Sequence, residues 1–189
     1  MHSASQPSTE IDVDAVAARI DRPIVLVGLM GAGKSTVGKK LANLLRTDFV
    51  DADEAIEDAA AMTISEMFER FGEAHFRDGE RRVIARLIEE RHGVIATGGG
   101  AFVNDDTRAL VLDKGIAVWI DCDIATLVER TSRRSNRPLL KNGDPAEILA
   151  RLHRERSPYY AKAPIRIVGE NGPHGETALQ IVRALDTWL

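Results

Sequence analysis

The segment Gly28-Leu-Met-Gly-Ala-Gly-Lys-Ser35 matches G-x-x-x-x-G-K-[ST] at every fixed position, and Thr36 follows it. It leaves an apolar run, IVLVG, and opens a helical pattern near Lys34. Chemistry explains each residue type. Glycines let the chain turn so that successive N–H groups point at phosphate oxygens, and the positive end of the following helix adds to that field. Gly31, Ala32, Gly33, Lys34, Ser35 and Thr36 are thus candidate nucleotide-binding residues. Lys34 reaches the β- and γ-phosphates of a nucleoside triphosphate, and the Ser35 hydroxyl is a hard oxygen ligand for Mg²⁺.

The motif specifies a nucleoside triphosphate and leaves its use open. No N-K-x-D guanine-reading motif appears, and the chain is short for a mechanochemical ATPase. A kinase for a small acceptor fits best. Asp51-Ala-Asp53 closes a second β-rich run. Alternate residues of a strand share a face, so both carboxylates could point at the phosphates. One can serve Mg²⁺, through water, and the other can hold an acceptor hydroxyl and ease its proton away. Acids at strand ends are also common as caps.

Further along come Phe76-Arg-Asp-Gly-Glu80, the triplet Gly98-Gly-Gly100, Arg137-Pro-Leu-Leu140 and Arg156-Ser-Pro-Tyr-Tyr160. With the phosphate loop, this ordered set resembles the shikimate kinases, over roughly residues 22–168. Members of that family use ATP and Mg²⁺ to phosphorylate the 3-hydroxyl of shikimate, on the route to chorismate and the aromatic amino acids. Their fold is that of the nucleoside monophosphate kinases, a five-stranded parallel sheet with helices on both faces.

The resemblance implies a role for each matching position. Asp53 binds the shikimate hydroxyls and is the candidate base, which leaves Asp51, of the carboxylate pair, to serve Mg²⁺ through water. Arg77 and Arg156 hold the acceptor carboxylate, which suits guanidinium forks that stay charged at any relevant pH. Glu80 orients Arg77. Gly98, Gly99 and Gly100 keep a substrate-binding turn open. Arg137 is the lid arginine, neutralising charge during transfer beside Lys34. Arg130 falls near the expected adenine position, while Arg133 and Arg134 read as solvated lid residues. His75, His92, His153 and His174 match no motif and read as structural or surface residues. The turn NGPHGE, in the region of the family's adenine loop, aligns with no family pattern. Two rival readings are a related kinase for gluconate or a nucleoside monophosphate, and a non-enzymatic nucleotide switch.

These residues need a frame. Five β-rich runs, over 24–28, 48–51, 94–97, 116–121 and 165–168, alternate with helical patterns. Near-continuous apolar strands such as IVLVG and IAVWI suit a parallel sheet covered on both faces. Thr63-Ile-Ser-Glu66 is a capping box, and Asp144-Pro-Ala-Glu147 combines an N-cap, a first-turn proline and an acidic third position. The expected fold is an α/β three-layer P-loop domain with right-handed crossovers. Residues 22–189 form the single kinase domain. Residues 1–21 are an N-terminal extension, partly disordered, with a short helix through Val13, Val16 and Ile20. The polar loop at about 132–143 reads as a mobile lid.

Composition bounds the setting. The chain has 189 residues, 44% hydrophobic and 29% charged, which fits one globular domain. Its net charge of −4 argues against nucleic acid as the main partner. No apolar run approaches the ~20 residues of a membrane helix. One cysteine, Cys122, makes no internal disulfide and reads as a buried thiol. MHSASQPSTE lacks the regions of a secretory signal. A cytoplasmic enzyme, monomeric as the family tends to be, is the expectation.

Overall fold

Ile24–Val27 is apolar at every position because helices cover both faces of the sheet it centres. In the computed structural model, residues 10–133, 140, 142–169 and 171–189 are described. The five strands are β1 (Ile24–Val27), β2 (Phe49–Asp51), β3 (Val94–Ala96), β4 (Ile116–Cys122) and β5 (Ile165–Gly169). All pair in parallel, in the order β2-β3-β1-β4-β5. From β1 the chain crosses towards β2, and from β3 it crosses the other way towards β4. The neighbours β1 and β3 therefore form a topological switch point, where connections diverge and leave a crevice beyond the strand ends.

The helices are α1 (Val13–Arg19), α2 (Lys34–Leu44), α3 (Ala52–Ala60), α4 (Ile64–Glu89), α5 (Asp105–Lys114), α6 (Ile124–Ser132), α7 (Pro145–Tyr160) and α8 (His174–Trp188). A short 3₁₀ turn spans Ala101–Val103. The capping box at Thr63 forms, and Asp144 caps α7 with Pro145 in its first turn. Leu41 of α2 and Ala178, Ile181, Val182 and Leu185 of α8 are all fully buried. Each large apolar side chain so placed contributes about 1.5–3 kcal/mol. That packing fixes the helix behind the phosphate loop. The extension's helix, α1, joins the same core through Val16, and Arg19 pairs with Asp186 at 2.7 Å.

One expectation changes. Asp53 is not a strand residue: β2 ends at Asp51, which caps α3, and Asp53 lies in that helix's first turn. Asp51 accepts from the Asp53 N–H at 3.0 Å, so a cap, not strand alternation, brings the two acids together. The helical pattern beginning at Ile64 runs on to Glu89 but kinks at Gly72, whose φ is 80°. Beyond the kink, Phe76 packs with Ile56 and Met67 in a small second core joining α3 to α4. This core fastens α4 to α3 next to Arg77. Arg137, Arg134 and most of the 132–143 lid lie outside the described residues.

Candidate active site

The phosphate loop links β1 to α2. Gly33, the N-cap of α2, has φ 88°, a left-handed conformation that favours glycine, and it offers no side-chain cap. The first-turn amides of α2 thus face the loop, as an anion-binding helix start requires. Lys34 is 8% exposed, and its Nζ donates to the carbonyls of Gly28 and Leu29 at 2.8 Å each, which holds the ammonium inside the loop. Ser35 Oγ donates to Asp51 Oδ2 at 2.5 Å. The strand-end acid and the loop hydroxyl therefore form one oxygen pair. Among the described residues, no group of three or more His, Cys, Asp or Glu could hold a metal unaided.

Charged side chains from three elements meet at the turn Gly98–Gly100, after β3. A β-carbon on Gly98 would stand 2.8 Å from Asp53 Oδ1 and 3.4 Å from Glu80 Oε2. One on Gly99 would stand 3.1 Å from a terminal nitrogen of Arg156 and 3.4 Å from the Met30 amide of the phosphate loop. One on Gly100 would collide with the Arg77 guanidinium. Three bare Cα positions thus let Asp53, Arg156 and Arg77 close in on a single turn. They do so beside the phosphates' loop, at the switch point.

Electrostatics around the turn are specific. Arg77 donates to Glu80 Oε1 at 2.8 Å, and Glu80 is 1% exposed. Burial pushes the Glu80 carboxyl above its ordinary range, against the pull of Arg77. Tyr160 donates its hydroxyl to the Gly99 carbonyl, and burial pushes its pKa up to about 12, so it stays a donor.

For three residues the sequence signals no contact with the site. Tyr160 supports the turn from beneath. His153 joins Asp121 to Ser157. His174, at the start of α8, packs on the phosphate loop, its ring 3.0 Å from where a β-carbon on Gly33 would lie. Burial, with Arg130 and Lys40 nearby, pushes the His174 pKa down. The NGPHGE turn offered no alignable pattern, but a histidine opening the last helix was its one signal. Arg130 also lies over the loop, 3.3 Å from the Ala32 carbonyl. Cys122 is buried beneath it, and burial pushes its thiol pKa up.

A parallel 2-3-1-4-5 sheet, with a phosphate loop and a turn ringed by Asp53, Arg77 and Arg156 meeting at its switch point, defines a P-loop kinase. The fold alone is shared with a gluconokinase from Sinorhizobium meliloti, at TM-score 0.57 and 16% identity over 90% of this chain and 94% of that one. Sequence narrows the class, for the shikimate kinase family model matches residues 30–186, and the chain belongs to that family. It is 56% identical over 192 residues to a shikimate kinase of Novosphingobium aromaticivorans, covering 100% of this chain and 99% of the relative. A shikimate kinase from Acinetobacter baumannii, solved in complex with shikimate, superposes with TM-score 0.84 at 37% identity. That match covers 88% of this chain and 93% of the other.

Proposed function

We propose that the protein transfers the γ-phosphoryl group of ATP to the 3-hydroxyl of shikimate, giving shikimate 3-phosphate and ADP, on the route to chorismate. The observation that carries this reading is the convergence of Asp53, Arg77 and Arg156 on the Gly98–Gly100 turn beside the phosphate loop. An acceptor for that site is a small polyol bearing a carboxylate. Arg77 and Arg156 grip the carboxylate, and Glu80 orients Arg77 through the bond they share. Asp53 receives the acceptor hydroxyl and takes its proton as the oxygen attacks.

Transfer is in line, and catalysis is mostly positioning and charge stabilisation. Lys34 and the loop amides hold the phosphates, and the glycines of the loop let those amides approach. Arg137 is assigned on its R-P-L-L motif to neutralise charge on the transferring group. Ser35 and Asp51 fit a hard divalent cation, Ser35 directly and Asp51 through water, with phosphate and water oxygens completing the shell. These two residues would hold Mg²⁺, whose positive charge would offset that of the phosphates. Adenine is assigned to the space beside Arg130.

Residues 22–189 are proposed as one kinase domain with its lid at about 132–143, acting as a cytoplasmic monomer. No described helix is long and apolar enough to cross a membrane. ADP release with Mg·ATP and a panel of shikimate, gluconate and nucleoside monophosphates tests the reading. Turnover is expected with shikimate above all others. Release equal to the buffer control with shikimate would overturn it.

A further inference from the structure

Helix α7 carries Arg156, and side chains tie it to the sheet at two points. Near its middle, His153 Nε2 lies 3.1 Å from Asp121 Oδ1, at the end of β4. Nδ1 of the same ring lies 3.3 Å from Ser157 Oγ. Asp121 is 8% exposed, and its other oxygen accepts from Arg166 of β5 at 2.6 Å. Arg166 in turn lies 4.6 Å from the Trp119 ring centroid. At the end of α7, Tyr160 donates to the Gly99 carbonyl and packs against Trp119, ring centroids 5.8 Å apart.

Arg156 sits between these two ties, three residues after His153 and four before Tyr160. Residues three and four apart share a helix face, so all three look towards the sheet. Pro158 interrupts the same stretch and has no N–H to give the Arg154 carbonyl, which leaves the last turn without one of its own bonds.

We infer that His153, locked between Asp121 and Ser157, is a positioning residue for acceptor binding: with Tyr160 it clamps α7 so that Arg156 meets the Gly98–Gly100 turn. This rests on the reading of Arg156 as a carboxylate ligand. His153 touches neither phosphate loop nor acceptor turn in any contact described here, so its effect passes through Arg156. A long guanidinium side chain has many rotamers, and a fixed helix face narrows them before the acceptor arrives.

Steady-state kinetics of H153L, H153Q, R156A and H153L/R156A, with melting temperatures, test it. H153L should raise KM for shikimate about tenfold, the scale of one lost hydrogen bond to a charged group, and leave kcat and KM for ATP within about twofold. H153Q presents an amide that can still donate to Asp121, so it should restore most of the affinity. In the R156A background, H153L should add nothing further to KM, since coupled residues are non-additive. An unchanged KM for shikimate in H153L, an equal rise for both substrates, or a full effect on top of R156A would overturn the clamp. Should H153L not fold, His153→Asn, whose shorter amide falls away from Asp121, takes its place with the same outcomes. If R156A itself leaves KM for shikimate unchanged, the assignment of Arg156 fails, and the clamp with it. If R156A raises KM and H153L does not, the clamp alone fails.

Discussion

Arg77 donates a 2.8 Å hydrogen bond to Glu80, one helical turn further along α4, and the receiving carboxyl is almost wholly sealed from water at 1% exposure. Burial raises the Glu80 pKa from 4.5, with the Arg77 charge opposing and Asp53 adding to the rise. A raised carboxyl pKa means the fold favours the protonated form. That contribution to stability is complete below 4.5 and is lost as pH rises through the folded-state value. Where ionised, Glu80 holds Arg77 at some expense of stability.

Glu80→Gln should therefore separate the two roles. At pH 7.5 its melting temperature should equal or exceed that of the wild type, where ~1 kcal/mol corresponds to about 2–4 °C. KM for shikimate should rise about tenfold, because Arg77 loses the charged partner that aims it. Thermal melts followed by circular dichroism, with kinetics alongside, check both. A melting temperature several degrees lower at pH 7.5 would show that the pair is held for stability.

Arg77→Ala removes a guanidinium assigned to the acceptor carboxylate. Loss of a charge-assisted bond of about 1.5–3 kcal/mol should raise KM for shikimate about tenfold to a hundredfold. KM for ATP should stay within about threefold. Arg77→Lys should recover only part, since a point charge cannot fork over two oxygens. An equal rise in both KM values would remove Arg77 from the acceptor side.

Ser35→Ala deletes the hydroxyl that pairs with Asp51. Its activity should fall about a hundredfold, a loss in the range of one lost electrostatic stabiliser, and half-saturation in Mg²⁺ should move to higher concentration. Ser35→Thr should retain most of the activity. Titration of activity against free Mg²⁺ makes the test, and EDTA should abolish turnover in every variant. Full activity in EDTA would exclude the assigned role of Ser35 and Asp51.

At the opposite end of the sheet, His92 hydrogen-bonds Asp48 through Nδ1 and Glu90 through Nε2. The bond to Asp48 raises the His92 pKa from 6.5 against burial. For Asp48, burial pushes upward, but the bonds from His92 and Gly93 outweigh it and the pKa falls below 3.8. His92 therefore stabilises the fold fully below pH 6.5 and ceases to do so as pH rises through its folded value. Asp48 contributes above 3.8 and is lost in stronger acid. His92→Gln should lower the melting temperature by a few degrees near pH 5.5, consistent with a partly exposed pair of about 1 kcal/mol. The gap should narrow as pH rises through the raised His92 value. A gap that widens with pH would reverse the assigned direction.

The phosphate loop was legible because its chemistry is local: the glycines, Lys34 and Ser35 stand in one run of eight residues. Strand positions were legible too, since burial on both faces writes an unbroken apolar run such as Ile24–Val27. Asp51 and Asp53 were found as a pair but on the wrong geometry, because a helix N-cap and a strand end look alike in sequence. His153 and Tyr160 were not legible as partners of the site. Their contacts, to Asp121 and Gly99, cross 32 and 61 residues of chain, and no local pattern encodes them. His174 escaped for the same reason, as only the packing of α8 on α2 brings it to Gly33.

The most direct test of shikimate as acceptor is ³¹P NMR of the purified protein with Mg·ATP and shikimate. The expected spectrum gains ADP and one phosphomonoester in equal amounts, the new resonance coupled to the proton on C3 of shikimate. ATP hydrolysis to inorganic phosphate without that ester, or an ester formed faster on gluconate than on shikimate, would contradict it.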